Sequence, residues 1–139
     1  MGLARMLPRT DLLIVTTPAV SAQKVAIRAA DMARRSFLRV AGVIENMSYL
    51  ETPSGPMEIF GSGGGESVAQ RLTDLQGSKV ELLGKIPLSP SLRVSSDSGR
   101  PLVDSDAADP AAKVIFDIAR TLAKTPRGLA GKSLGLKPR

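Results

Sequence analysis

RVAGVIENMS, residues 39–48, begins as an apolar, β-branched run and closes on a glutamate, an asparagine and a methionine. The apolar part, about residues 39–44, has the composition of a strand buried on both faces, as parallel sheets require. An asparagine placed where such a strand stops has two readings. Its amide carries donors and acceptors that match the complementary edge of a purine base, and the same groups can cap the turn that leaves the strand. The cap is physically sufficient, and the residues alone leave both readings open.

Working outward, DLLIVTTP (11–18) is a second short run of buried-strand composition, closed by a proline. Between the two runs, Ala22, Val25, Ala26, Ala29, Met32 and Ala33 recur at helical spacing, opposite Lys24, Arg28, Asp31, Arg34 and Arg35. This predicts an amphipathic helix beginning near Ser21. Beyond Asn46, YLETPSGPMEIFGSGGG reads as a long irregular excursion, because Pro and Gly are dense in it. A helix is expected after Gly65, turning Val68, Ala69, Leu72 and Leu75 inward. A third strand follows at about 79–86, in KVELLGKIP, and LSPSLRVSSDSGRP reads as a loop. The final helix is DPAAKVIFDIARTLAK, with Asp109 at the N-cap and Pro110 at the first helical position.

Alternating short apolar strands and helices predict an α/β fold, with a parallel sheet of about three strands flanked by helices and right-handed crossovers. Ligands of such sheets gather beyond the carboxyl ends of the strands. Three tips converge there: Thr16-Thr17-Pro18, Glu45-Asn46-Met47 and Ile86-Pro87-Leu88. The pattern marks a site without naming its ligand.

Composition narrows the chemistry. The chain of 139 residues has 42% apolar and 23% charged residues, about the size and make-up of one domain with a real core. It contains neither cysteine nor histidine, which removes thiolate and imidazole metal sites and Ser/His or Cys/His catalysis by these residues. No run has the roughly 18 apolar residues of a membrane span, so a cytoplasmic protein without membrane contact is expected. The net charge of +6 is uneven: all 13 acidic residues lie at or before Asp117, and Arg120, Lys124, Arg127, Lys132, Lys137 and Arg139 supply the excess. Residues 125–139 read as a basic, disordered tail after a domain at 1–124. With almost no aromatic residues to stack on bases, nucleic-acid binding is not expected.

Other motifs are weaker. GSGGGE (61–66) resembles a phosphate-cradling loop, but its spacing fits neither dinucleotide nor P-loop patterns, and it reads as a flexible helix lead-in. Gly131-Lys132-Ser133 has no preceding strand and reads as accidental. Asp97, in SSDSGRP, lacks a partner for catalysis and reads as turn chemistry.

Together, LLIVTTP, GVIENMS, EIFGSGGG, LLGKIPLSPSLR and DSGRPLV, in this order from about residue 2 to 122, resemble the second half of an Mrp/ApbC-type P-loop ATPase. That family belongs to the MinD-like deviant Walker class and is associated with iron-sulfur cluster carriage. The resemblance implies a partial P-loop NTPase-like (Rossmann-like) fold. It also implies that Asn46 reads an adenine ring, with Met47, Pro87 and Leu88 beside it, as part of a site for ATP with Mg²⁺.

Two family features are missing from the quoted residues. No glycine-rich, lysine-containing Walker A loop or Asp-bearing switch segment occurs, and MGLARMLPRT resembles the helix just after that switch. Phosphoryl transfer depends on charges and metal positioned around the phosphates, so the chain alone is expected not to hydrolyse ATP, and Mg²⁺ is expected to be held by an amino-terminal half. Many relatives also carry a Cys-x-x-Cys pair after the ENMS motif. Here Thr52 and Gly55 stand near those positions, so cluster ligation through this chain is not expected. In the resemblance, the strand at Leu12–Thr16 would pair with the phosphate-loop strand. Its edge would otherwise be open, which predicts a homo-oligomer or a complex with a separate amino-terminal half, and iron-sulfur apo-proteins as further partners. The alternative is a scaffold or interaction module that keeps the half-sheet without a nucleotide.

Overall fold

A computed structural model describes residues 10–124 of the chain. The basic tail, Gly131-Lys132-Ser133 and most of MGLARMLPRT lie outside the described residues. The elements are β1 (Asp11–Thr16), α1 (Val20–Arg35), β2 (Arg39–Glu45), β3 (Leu50–Thr52), β4 (Gly55–Met57), α2 (Gly64–Gln76), β5 (Leu82–Lys85), α3 (Pro90–Asp97), α4 (Leu102–Ser105) and α5 (Pro110–Lys124). The main sheet has three strands in the order β1-β2-β5, both pairings parallel, as the sequence pattern predicts.

Alternation along β2 divides the core. The β1–β2 register skips Ala41, and this bulge lets Val40 and Val43, three residues apart, face one side, where they meet Ile14, Ala26, Ala30, Ala33, Val68, Ala69 and Leu72 under α1 and α2. Ile44 faces the other side, with Ile86, Leu102, Ala111, Ala112 and Ile118 under α4 and α5. Small alanines let the helices come close to the sheet, and Gly84 does the same for α5: a Cβ there would sit 2.8 Å from Ile118 Cδ1.

Helix α5 starts as expected, the Asp109 carboxylate accepting the Ala111 N–H at 2.7 Å. Three expectations need correction. Residues 90–97, read as loop, are helical, and 102–105, for which no element was expected, form a further short helix. The first of these helices carries its own start signal: Ser89 Oγ accepts the Leu92 N–H at 3.0 Å, and Pro90 occupies the first turn. The excursion after Asn46 is partly ordered, with β3 and β4 paired antiparallel across a tight turn. Strand β5 begins at Leu82 rather than 79, because the Val80 N–H is taken by Thr73 Oγ1 of α2 at 2.9 Å instead of by β2.

Candidate functional site

At the tip of β2 the ladder is interrupted and then resumes. The Ile86 N–H donates to Glu45 C=O at 2.8 Å, and the Ser48 N–H then donates to Ile86 C=O at 3.0 Å. On the other side the Asn46 N–H donates to Thr16 C=O at 2.8 Å. Asn46 and Met47 therefore protrude from the β2–β5 pairing as an irregular two-residue bulge, a device that re-aims side chains at the end of a strand. Met47 adopts φ 56°, a left-handed conformation uncommon outside glycine. Its N–H donates to Asn46 Oδ1 at 2.9 Å, which stabilises the bend. Among the described residues, Nδ2 of Asn46 donates to no protein group. The amide thus caps the turn through its oxygen while its nitrogen stays available.

Asn46 and Met47 line a cleft of about 530 Å³ together with Pro87, Leu88, Leu92 and Arg93. The four residues singled out by sequence, Asn46, Met47, Pro87 and Leu88, share this one cavity. Its far wall is α3, whose start is tied to that of α5 because Ser89 Oγ donates to Asp109 Oδ2 at 3.3 Å. The arrangement offers apolar walls for a flat ring and an amide donor at its edge. Asp97 is the last residue of α3 rather than a turn residue, and it pairs with Arg93 one helical turn earlier, at 3.4 Å.

The glycine run is not a loose lead-in. Gly63 supplies the left-handed backbone, φ 75°, from which α2 starts. Gly64 and Gly65 are buried where α2 meets two strand tips. A Cβ on Gly64 would lie 2.7 Å from Pro18 Cα and 2.8 Å from Thr17 C=O, both backbone atoms. The Gly65 N–H donates to the Glu45 carboxylate, so the anion favoured at a helix N-terminus comes from within the chain. Sequence reading did not foresee this contact of Glu45. The available signal was an acid at the end of a buried strand, a position that needs a donor.

Next to this contact, Lys85 Nζ pairs with Glu66 Oε1 at 2.6 Å. Burial pushes the Glu66 carboxyl up, but the Lys85 hydrogen bond, its own backbone N–H and the Lys85 charge outweigh this and hold it below the ordinary range. The Glu66 hydrogen bond raises the Lys85 ammonium against the opposing effect of burial.

Along β1 lies a second cavity of about 510 Å³, an apolar groove between the strand and α1, lined by Leu12, Val15, Val25, Ala29 and Met32 and reaching Asn46. Among the described residues β1 pairs only with β2, and its other edge and the cleft at Asn46 are therefore neighbours. Among the described residues, no helix is long and apolar enough to cross a membrane.

Residues 1–123 match the family model described as ParA, NUBPL iron-transfer P-loop NTPase. The chain belongs to this P-loop NTPase family. Among curated relatives, it is 47% identical over 138 residues to the iron-sulfur cluster carrier protein of Mycobacterium tuberculosis strain H37Rv, covering 99% of this chain and 36% of that protein. To the protein of the same name in Deinococcus radiodurans it is 37% identical over 125 residues, 88% of this chain and 33% of that protein. The chain thus spans about a third of the length of these family members. Of solved structures, the MinD cell division protein of Aquifex aeolicus aligns with TM-score 0.55 and 27% identity, over 91% of this chain and 46% of that one. MinD of Pyrococcus horikoshii, complexed with Mg-ADP, aligns with TM-score 0.59 over 86% of this chain and 42% of that one. At 22% identity this second likeness speaks to the fold alone. Relatives in this family are named iron-sulfur cluster carriers.

Proposed function

We propose that this chain forms the adenine-facing side of the nucleotide site of an Mrp-like iron-sulfur cluster carrier ATPase. The observation that carries the reading is the shared cleft: Asn46, Met47, Pro87 and Leu88 line one cavity that opens next to the edge of β1, which no strand covers among the described residues. The free Nδ2 of Asn46 donates to a ring acceptor of adenine, and the Oδ1 lone pair not used by Met47 accepts from the exocyclic amine. Pro87 and Leu88 provide an apolar wall and exclude water from one face of the ring. ATP, when bound with Mg²⁺, supplies the phosphoanhydride chemistry of the family. In this reading the phosphates and metal are gripped by an amino-terminal half outside these 139 residues, and the chain alone does not turn ATP over.

The same reading makes residues 1–124 the carboxyl-terminal half of the ATPase domain and 125–139 a basic tail, in a cytoplasmic protein. The cluster is cargo. With no thiol in the 139 residues, its ligands come from other chains or segments, and its recipients are iron-sulfur apo-proteins. The β1 edge pairs with the separate half or with a second copy of this chain. A monodisperse monomer in size-exclusion chromatography with light scattering, with or without that half, sinks the pairing.

Calorimetric titration with ADP tests the base site. Asn46→Ala is expected to weaken binding about tenfold, the value of one good polar contact. If no ADP signal appears even with the amino-terminal half added, the chain is a scaffold instead.

A further inference from the structure

Among the described residues, one acidic or basic side chain is buried: Glu45, 1% exposed. Taking a carboxylate out of water is costly unless its hydrogen bonds are replaced, so a strand that only needed to fill space would carry valine here. Nor does Glu45 line the cleft at Asn46. Its bonds point elsewhere. The carboxylate accepts the Gly65 N–H at the start of α2. Its backbone C=O accepts both the Ile86 N–H at 2.8 Å and the Ser48 hydroxyl at 3.0 Å. The next N–H along the chain, that of Asn46, holds Thr16 C=O. Glu45 therefore fastens β5, the bulge and α2 to one another, and the Asn46 amide beside it adds β1.

The approach is as close as the chemistry allows. A Cβ on Gly65 would fall 2.9 Å from Glu45 Cβ and 2.8 Å from Leu82 Cδ1. Glycine is thus required at 65 for the carboxylate of 45 to reach the helix. Because Asn46 follows Glu45 directly, the orientation of its amide depends on how firmly Glu45 is held.

We propose that Glu45 is a positioning residue for the base site: its bond to the Gly65 N–H locks the bulge so that Asn46 meets adenine in one geometry. The selectivity arm of this inference rests on the base-binding reading above; the mechanical arm does not. Selectivity among purines then depends on a side chain that never touches the nucleotide.

The full 139-residue chain, wild type and variant, is examined by amide hydrogen exchange without ligand and by calorimetric titration with ADP and with GDP, the amino-terminal half being added where affinity requires it. Glu45→Ala is expected to speed exchange about tenfold at Gly65, Asn46 and Ser48 together, while Ile118 and Leu122 in α5 keep wild-type protection. Its preference for ADP over GDP is expected to fall to near unity. Glu45→Gln keeps a carbonyl acceptor for the Gly65 N–H and is expected to retain most of the preference and the protection. Gly65→Ala, which leaves the carboxylate but blocks its approach, is expected to behave like Glu45→Ala, and it carries the test if that variant does not fold. Faster exchange at Gly65 with Asn46 and Ser48 unchanged overturns the proposal, as does faster exchange throughout the chain in both Glu45→Gln and Gly65→Ala. An unaltered ADP/GDP ratio in Glu45→Ala or Gly65→Ala also overturns it. A wild-type chain that does not distinguish ADP from GDP sinks the base-site reading, and the exchange pattern then decides alone whether Glu45 is the tie.

Discussion

The tip of β2 and the edge of β1 are neighbours on the sheet, and they are finished to different degrees. At the tip, the main-chain N–H groups of Asn46, Met47 and Ser48 and the C=O of Glu45 find partners within the chain, and α2 is seated so closely that two glycines have no room for a methyl group. Along the edge, Val15, Val25 and Met32 are 58%, 65% and 64% exposed on one apolar groove. The contrast separates two design problems. A binding tip must be rigid before its ligand arrives, whereas an apolar strand edge is stable only when something covers it.

The sharpest way to break this contrast is to crowd the tip. Gly64→Val places new atoms against the backbone of Thr17 and Pro18, which cannot swing away as a side chain would. A loss of about 3 kcal/mol in urea unfolding is expected. A loss below about 1 kcal/mol would show that α2 can shift and that the tip is not tight. Removing the cap on the far wall of the cleft comes next: Ser89→Ala should cost about 1 kcal/mol in the same measurement and loosen the link between α3 and α5.

A smaller effect is expected at the Lys85–Glu66 pair, which is half exposed and therefore weakened by solvent. Lys85→Met should cost about 0.5 kcal/mol or less at neutral pH. The folded carboxyl of Glu66 titrates lower than the unfolded one, so its contribution is present above the ordinary carboxylate range and fades as pH falls through the folded value. Wild type and variant should accordingly converge in stability as pH falls below the ordinary carboxylate range and through the lowered folded value. At the alkaline end, the raised Lys85 value keeps the pair intact until the ammonium is lost. The smallest change in folding stability belongs to the edge. Val25→Asp with Met32→Lys should alter unfolding by no more than about 0.5 kcal/mol, yet it should abolish self-association or docking of an amino-terminal half in light scattering. Unchanged association would place the partner surface elsewhere.

The sequence showed most of the scaffold because buried parallel strands and amphipathic helices announce themselves over six or more residues. The strand tips could be aligned for the same reason, so Asn46, Met47, Pro87 and Leu88 could be gathered into one candidate site. Helix α3 was missed although Ser89-Pro90 carries the same start signal as Asp109-Pro110, because its short, serine-rich sequence offered little apolar periodicity to continue it. The roles of Glu45 and Gly65 were invisible for another reason. They are 20 residues apart, and neither a buried acid nor a glycine reveals its partner until the chain is folded. Flexibility was the default reading of the glycine run, and close packing is what the fold makes of Gly64 and Gly65.

The excursion at Asn46 and Met47 is closed on both sides, by Glu45–Ile86 before it and Ser48–Ile86 after it. Its length is therefore counted rather than elastic. Deleting either residue would turn Ser48 and Tyr49 to the opposite faces of the ladder and swap their inside for their outside. New side chains at 46 and 47 would have to suit the left-handed backbone of the second residue and replace the cap made by the first, but above all their number would have to stay the same.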